Sequence, residues 1–200
     1  MSKLLLKEFQ ELDYNNPSND SVLNEEERKL KEEGYFILSG IIQSANRLNG
    51  NGRVYSRKIL EREMDNYQKV IRERRSVGEC DHSDSFEVNL KNASHLILRA
   101  FWHNDDVYGI IKVLKNTPSG KILEGLLKDG VQLGISSRAL GSLKETPQGA
   151  MVQDDLQLIC FDIVNEPSTP NAYLIPESRT RNIFTKADRL NRLLNDITGD

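Results

Sequence analysis

Cysteine, histidine and long apolar runs are all scarce in this sequence, and each shortage closes off a class of function. Two cysteines, Cys80 and Cys160, are too few for a disulfide framework, and a reducing, cytosolic setting is the default. No apolar run approaches the ~18–20 residues that span a bilayer. The stretch Leu4-Leu5-Leu6 is also too short for the apolar core of a secretory signal. Neither sign of charge dominates. A net charge of −3, with both signs interspersed, offers no basic face for nonspecific nucleic-acid binding. What is present, 38% apolar and 28% charged residues over a length of 200, suits one packed domain with extensions.

Residues 1–34 read as an N-terminal extension that could be a removable leader. In it Asn15-Asn16-Pro17-Ser18-Asn19-Asp20 is a loop, and Ser21 to Glu33 a charged helix stopped by Gly34. The core begins with the β-rich run Tyr35 to Ile42. Ser56 then caps a helix in which Leu60, Met64, Tyr67 and Ile71 form one buried stripe. Ala93–His103 and Val107–Leu114 are strands joined by the turn Asn104-Asp105-Asp106. Thr117-Pro118 opens a helix that Gly130 ends. Val131–Leu143 and Met151–Val164 follow as strands around the turn Glu145-Thr146-Pro147-Gln148-Gly149, which would make them one hairpin. Thr185 with Asp188 resembles a capping box before a last helix, so the domain spans 35–180 with a C-terminal helix in 181–200. The order lacks sustained βαβ alternation. It predicts an α+β fold, mainly antiparallel β with helices around it, and a closed barrel would remove the sheet's edges.

Of the three histidines, His95 sits inside a strand and reads as structural, while His103 abuts a turn. His82 differs, because it lies in the polar loop Gly78-Glu79-Cys80-Asp81-His82-Ser83-Asp84, the kind of place where catalytic groups concentrate. Cys80, Asp81, His82 and Asp84 make a poor zinc site without a second cluster, so neither a metal nor another cofactor is expected. A nucleophile candidate lies in Gly134-Ile135-Ser136-Ser137-Arg138-Ala139-Leu140-Gly141, which is not the Gly-x-Ser-x-Gly elbow. Neighbouring strand residues face opposite ways, so only one of Ser136 and Ser137 can serve a given site.

Gly78-Glu79-x-x-His82 followed by Gly134-Ile135-Ser136-Ser137-Arg138-x-Leu140-Gly141-Ser142-Leu143 resembles the prohead core protease family of T-even-type tailed bacteriophages. Asn49-x-Asn51-x-Arg53-x-Tyr55, Lys58-Ile59-Leu60-Glu61, Asp106-Val107-Tyr108-Gly109 and Asp162-x-Val164-x-x-Pro167-Ser168-x-Pro170-x-Ala172 extend the likeness. The resemblance implies a fold shared with herpesvirus assemblin proteases, a β-barrel wrapped by helices. It implies a serine endopeptidase with Ser136 as nucleophile and His82 as general base. Its substrates would be viral scaffold and major capsid proteins, inside a prohead assembled in the host cytoplasm. No nucleic acid or membrane is called for, and a homo-oligomer is left open. A catalytically silent, scaffold- or capsid-binding protein of the same fold is the alternative.

In related proteases the third member follows the serine at roughly the interval between Ser136 and Asp162, which makes Asp162 the expected partner of His82 and Glu79 its rival. The hairpin register argues against Asp162. A turn at Glu145–Ala150 pairs Ser136 near Ile159, leaving Asp162 roughly 10 Å further along and on the other face unless a bulge intervenes. Arg138 is a candidate oxyanion or substrate contact, with the backbone N–H groups of Ser168, Thr169 and Asn171 as other donors. Relatives cut after an aliphatic residue, any residue and glutamate. Leu6-Lys7-Glu8, Leu23-Asn24-Glu25, Leu30-Lys31-Glu32 and Ile175-Pro176-Glu177 fit that pattern, so autoproteolysis is a hypothesis.

Overall fold

The chain's punctuation sets most of its elements. The computed structural model describes residues 4–9, 23–165 and 173–176. Asn24 and Glu27 form a capping box that starts α1 (Glu25–Glu32), and Gly34 follows it with a positive φ of 79°. Ser56 caps α2 (Arg57–Arg72), accepting from the Ile59 N–H. The buried face of α2 carries Leu60, Met64, Tyr67 and Ile71, the stripe that the spacing predicts. Thr117 caps α3 (Pro118–Lys128) with proline in its first turn. These are the three α-helices among the described residues. The last helix expected in 181–200 lies outside them.

The strands are β1 (Leu4–Phe9), β2 (Ile37–Ser44), β3 (Arg53–Val54), β4 (Val77–Glu79), β5 (Ala93–His103), β6 (Asp106–Val113), β7 (Leu133–Gly141), β8 (Leu143–Thr146), β9 (Gly149–Val152), β10 (Gln157–Val164) and β11 (Tyr173–Pro176). One sheet of eight runs β1-β7-β11-β2-β6-β5-β4, with β10 also on β7. Its pairings are antiparallel. A second sheet of three, β3-β9-β8, has one parallel pairing. The class is therefore mixed α and β with mostly antiparallel sheets. A single parallel bridge, Cys80 to Ile163, links the end of β4 to β10. The main core lies between sheet and helices, where Leu38, Ile97, Ile111, Leu123, Ile135 and Phe161 are all at most 1% exposed.

Two features depart from the sequence-based expectation. Leu4–Phe9, within the 1–34 extension, forms a strand that the sequence does not mark, β1, which pairs along β7 from Ser136 to Gly141. The Val131–Leu143 and Met151–Val164 segments are not one hairpin. Leu143 to Thr146 pairs with Gly149 to Val152 as a separate hairpin, β8–β9, in the smaller sheet. Extended onward, that pairing would set Ser136 opposite Ile159, as the turn chemistry suggests. Instead the chain turns at Gln153–Leu156, held by Asp155 accepting from the Ser142 N–H (2.9 Å) and by the Gln153 N–H donating to Ser142 O (3.0 Å). A bulge between Leu158 and Cys160 then adds a further shift, and Ser136 faces Asp162 directly.

Candidate active site

That register places the site. Directly opposed residues of an antiparallel pair project from the same face, with Cβ atoms about 4.5–5.5 Å apart. Ser136 on β7 and Asp162 on β10 therefore stand side by side, leaving just enough room for a group to bridge them from a third segment. That segment is the loop after β4.

The loop is drawn in by β4 lying close on β10. Gly78 is obligatory here, because a Cβ at this position would meet Phe161 O at 2.0 Å and His95 Nε2 at 2.3 Å. The Glu79 N–H donates to Asp162 Oδ1 (3.0 Å) and the Asp81 N–H to Ile163 O (2.7 Å). Asp81 takes a positive φ of 69°, uncommon outside glycine, and its carboxylate accepts the His82 N–H (2.8 Å). This turn delivers the imidazole. His82 Nδ1 lies 2.8 Å from Asp162 Oδ2, and Nε2 lies 2.7 Å from Ser136 Oγ. Ser136 and Asp162 have no exposed surface, and 11% of the His82 side chain is accessible.

Burial by itself would raise the pKa of Asp162. The hydrogen bond from His82, the Glu79 N–H and the Arg138 charge together overcome it and hold the carboxyl below its ordinary range. An ionised Asp162 only accepts, so Nδ1 carries the proton and Nε2 is free to accept from the Ser136 hydroxyl.

The structure brings His82, Ser136 and Asp162 together, and it puts Ser137 elsewhere. Ser137 Oγ accepts from Gln43 Nε2 (3.1 Å), the two side chains being at most 2% exposed. Glu79 also has a different place from the one considered for it. Its carboxylate accepts from Arg138 Nη2 (2.7 Å), the Asn89 N–H (2.9 Å), Asn92 Nδ2 (3.2 Å) and Ser83 Oγ (3.3 Å). Burial opposes ionisation there too, but Arg138, the Asn89 N–H and Asn92 outweigh it, and the Glu79 pKa is lowered.

The expectation of an oxyanion or substrate contact at Arg138 needs correcting. Its side chain shares the face of Ser136 but is 0% exposed, and its donors are committed inward. Nη1 donates to Ser85 O (2.9 Å) and Ser83 Oγ, and Nη2 to Glu79. Nη2 also donates to Asp162 Oδ1 (3.3 Å), and Nε lies 3.0 Å from Asp162 Oδ2 with its N–H poorly aimed for a hydrogen bond. No simple sequence signal marks this inward turn, because a basic residue on a strand reads as a surface group. Cys160 sits in the same cluster, its Sγ 3.3 Å from Asp162 Oδ1, and burial pushes its pKa far up, so it stays a thiol.

His95 lies beneath the site. Nε2 donates to Phe161 O (2.9 Å), the residue before Asp162, and Nδ1 accepts from Ser94 Oγ (2.9 Å). Burial lowers its pKa to about 4 and keeps it neutral. His103 is exposed against Tyr108. Ser168, Thr169 and Asn171 lie outside the described residues.

Hydroxyl, imidazole and carboxylate in line form the constellation by which hydrolases activate a nucleophile, and it recurs on unrelated folds. Relatives narrow that class to the proteases. A model of the prohead core protein serine protease family matches residues 11–182, and the chain belongs to that family. It is 31% identical over 157 residues to the prohead core protein protease of Enterobacteria phage T4, covering 76% of this chain and 74% of that protein. Its fold is similar to the solved structure of the bacteriophage T4 capsid assembly protease, with a TM-score of 0.69 at 23% identity, covering 84% of this chain and 100% of that one.

Proposed function

We propose that this protein is a serine endopeptidase in which Ser136 attacks, His82 carries the proton and Asp162 orients His82. The observation that carries this reading is the continuous chain from Ser136 Oγ through the imidazole to Asp162, at 2.7 and 2.8 Å. Ser136 Oγ adds to the scissile carbonyl while its proton passes to Nε2. The tetrahedral intermediate collapses, the C–N bond breaks, and Nε2 returns the proton to the leaving amine. Water, activated by the same nitrogen, then cleaves the acyl-enzyme. Asp162 stays ionised throughout, fixing the tautomer and stabilising the imidazolium. Arg138, as a positioning residue, holds Asp162 and the His82 loop through Glu79, Ser83 and Ser85.

The substrates are scaffold and capsid proteins inside an assembling prohead, with the chain itself as a further one. The names of the relatives, a prohead core protein protease and a capsid assembly protease, support this reading. We assign the protease domain to residues 35–180, flanked by the 1–34 extension and a C-terminal helix in 181–200. The sheet is the wall of a herpesvirus-protease-like barrel. The Cys80–Ile163 bridge and the Asp81 N–H bond to Ile163 O, where the β4 and β10 edges meet, support that view.

A fluorophosphonate probe tests the assignment. Labelling that maps to Ser136 and falls at least 100-fold in His82→Ala, about the lower bound for losing a general base, is expected. Equal labelling of wild type, Ser136→Ala and His82→Ala would point to a catalytically silent capsid- or scaffold-binding protein.

A further inference from the structure

His95 is wholly buried and takes no part in the chain of contacts from Ser136 to Asp162. Its reach is nevertheless unusual for a strand residue. On β5 it stands opposite Gly78 of β4, yet its ring passes β4 and ends on a third strand, where Nε2 lies 2.9 Å from Phe161 O of β10. Glycine opens that passage. A Cβ on Gly78 would fall 2.3 Å from His95 Nε2 and 2.4 Å from its Cε1, so any side chain there would displace the imidazole.

The ring meets β10 on an edge that lacks a ladder. β10 pairs with β7 along one edge, and among the described residues β4 joins the other by the single backbone bridge of Cys80 to Ile163. Carbonyls of alternate strand residues face the same way, so Phe161 O and Ile163 O flank Asp162 on this side. The Asp81 N–H donates to Ile163 O (2.7 Å), and His95 donates to Phe161 O. β10 is therefore pinned one residue before and one residue after the carboxylate that meets His82. The pin at Phe161 is a side chain with a defined tautomer. A carbonyl only accepts, so Nε2 carries the proton and Nδ1 accepts from Ser94 Oγ at 2.9 Å. Gly78 O, 3.5 Å from the same hydroxyl, is too distant to compete. Burial keeps the ring neutral, with that one N–H to give.

We propose that His95 is a positioning residue for the hydrolytic reaction: through Phe161 O it sets Asp162 against the His82 imidazole, and Gly78 is the opening that admits it. The inference rests on the reading of Ser136, His82 and Asp162 as the catalytic relay. If β10 shifts at Phe161, the 2.8 Å contact from Asp162 to Nδ1 is lost. His82 is then no longer held in the tautomer and orientation that let Nε2 draw the proton from Ser136. A misplacement of about 1 Å costs ~100-fold in rate when it reaches the reacting groups.

Heteronuclear NMR and the rate of fluorophosphonate labelling at Ser136 provide the test. In the wild type, His95 is expected to carry its proton on Nε2, and the His82 Nδ1–H to give a far-downfield proton resonance. His95→Gln puts an amide donor near the place of Nε2, whereas His95→Asn has the same amide but stops short of Phe161 O. The Gln variant should label within about threefold of wild type, and the Asn variant at least about tenfold more slowly, with its His82 resonance shifted or lost. Leu127→Ala, in the core on α3, serves as the control for lost stability and should label at the wild-type rate. Every variant is measured at a temperature where thermal unfolding shows it folded. Equal labelling of the Gln and Asn variants, or slowing of Leu127→Ala to the level of Asn, would overturn the positioning role. So would a wild-type His95 protonated on Nδ1, a result that needs no variant to fold. Absence of Ser136 labelling in the wild type would instead remove the relay itself.

Discussion

Replacing Arg138 by methionine should be among the most damaging single changes available to this protein, although its side chain never reaches solvent. The guanidinium stands 2.7 Å from Glu79 and 3.0 Å from Asp162, and all three side chains are 0% exposed. Removing one partner of a buried ion pair costs about 3–5 kcal/mol, because the remaining charge stays desolvated. Here two carboxylates are orphaned, which puts the expected loss in the upper half of that range, against a total stability of about 5–15 kcal/mol. The urea midpoint should fall with little change in slope. Adding Glu79→Gln to Arg138→Met removes one orphaned charge, so the double variant should regain at least about 1 kcal/mol over the single one. Function should follow. The Arg138 charge is one of the influences holding the Asp162 pKa down, so its loss raises that pKa and moves the acid limb of activity to higher pH. Arg138→Met within about 0.5 kcal/mol of wild type, with an unmoved acid limb, would refute the argument.

Two other perturbations separate the catalytic from the structural groups. Asp162→Asn preserves shape but presents the wrong hydrogen-bonding group to Nδ1, so peptide hydrolysis should fall by about 10⁴ in kcat, as in other Ser-His-Asp enzymes; a loss below tenfold would remove Asp162 from the relay. His95, with its pKa lowered from 6.5 to about 4, is neutral when folded, while the unfolded chain takes up a proton as pH falls below 6.5. Stability should therefore rise with pH between about 4 and 6.5, by about 3 kcal/mol in all at ~1.4 kcal/mol per unit. Urea titrations of His95→Gln should show a flatter dependence across that interval, and an unchanged one would contradict it.

Local chemistry carries far in this chain, and it stops at a definable place. Helix caps at Ser56 and Thr117, the apolar stripe of α2 and the turn after His103 all act within a few residues, so the sequence by itself determined those elements and the loop position of His82. The alternation of a strand likewise sufficed to send Ser136 and Ser137 to opposite faces. Whether Asp162 could meet Ser136 was not local. The β8–β9 hairpin obeys its turn chemistry, and simple continuation of it sets Ile159 opposite Ser136. Only the turn at Gln153–Leu156 and the bulge before Cys160 bring Asp162 into register, and α2 holds this stretch from far away in the chain: Arg62 donates to Asp154 O (2.6 Å) and Leu156 O (3.0 Å), and Glu63 accepts from the Leu158 N–H (2.8 Å). β1 escaped notice for a related reason, since a six-residue strand has no signature until an edge exists to receive it. The inward turn of Arg138 belongs to the same group: it requires two carboxylates, far apart in the chain, to be desolvated at one point. Caps, turns and alternation are decided by neighbours in sequence, whereas register and buried charge pairing are decided by neighbours in space.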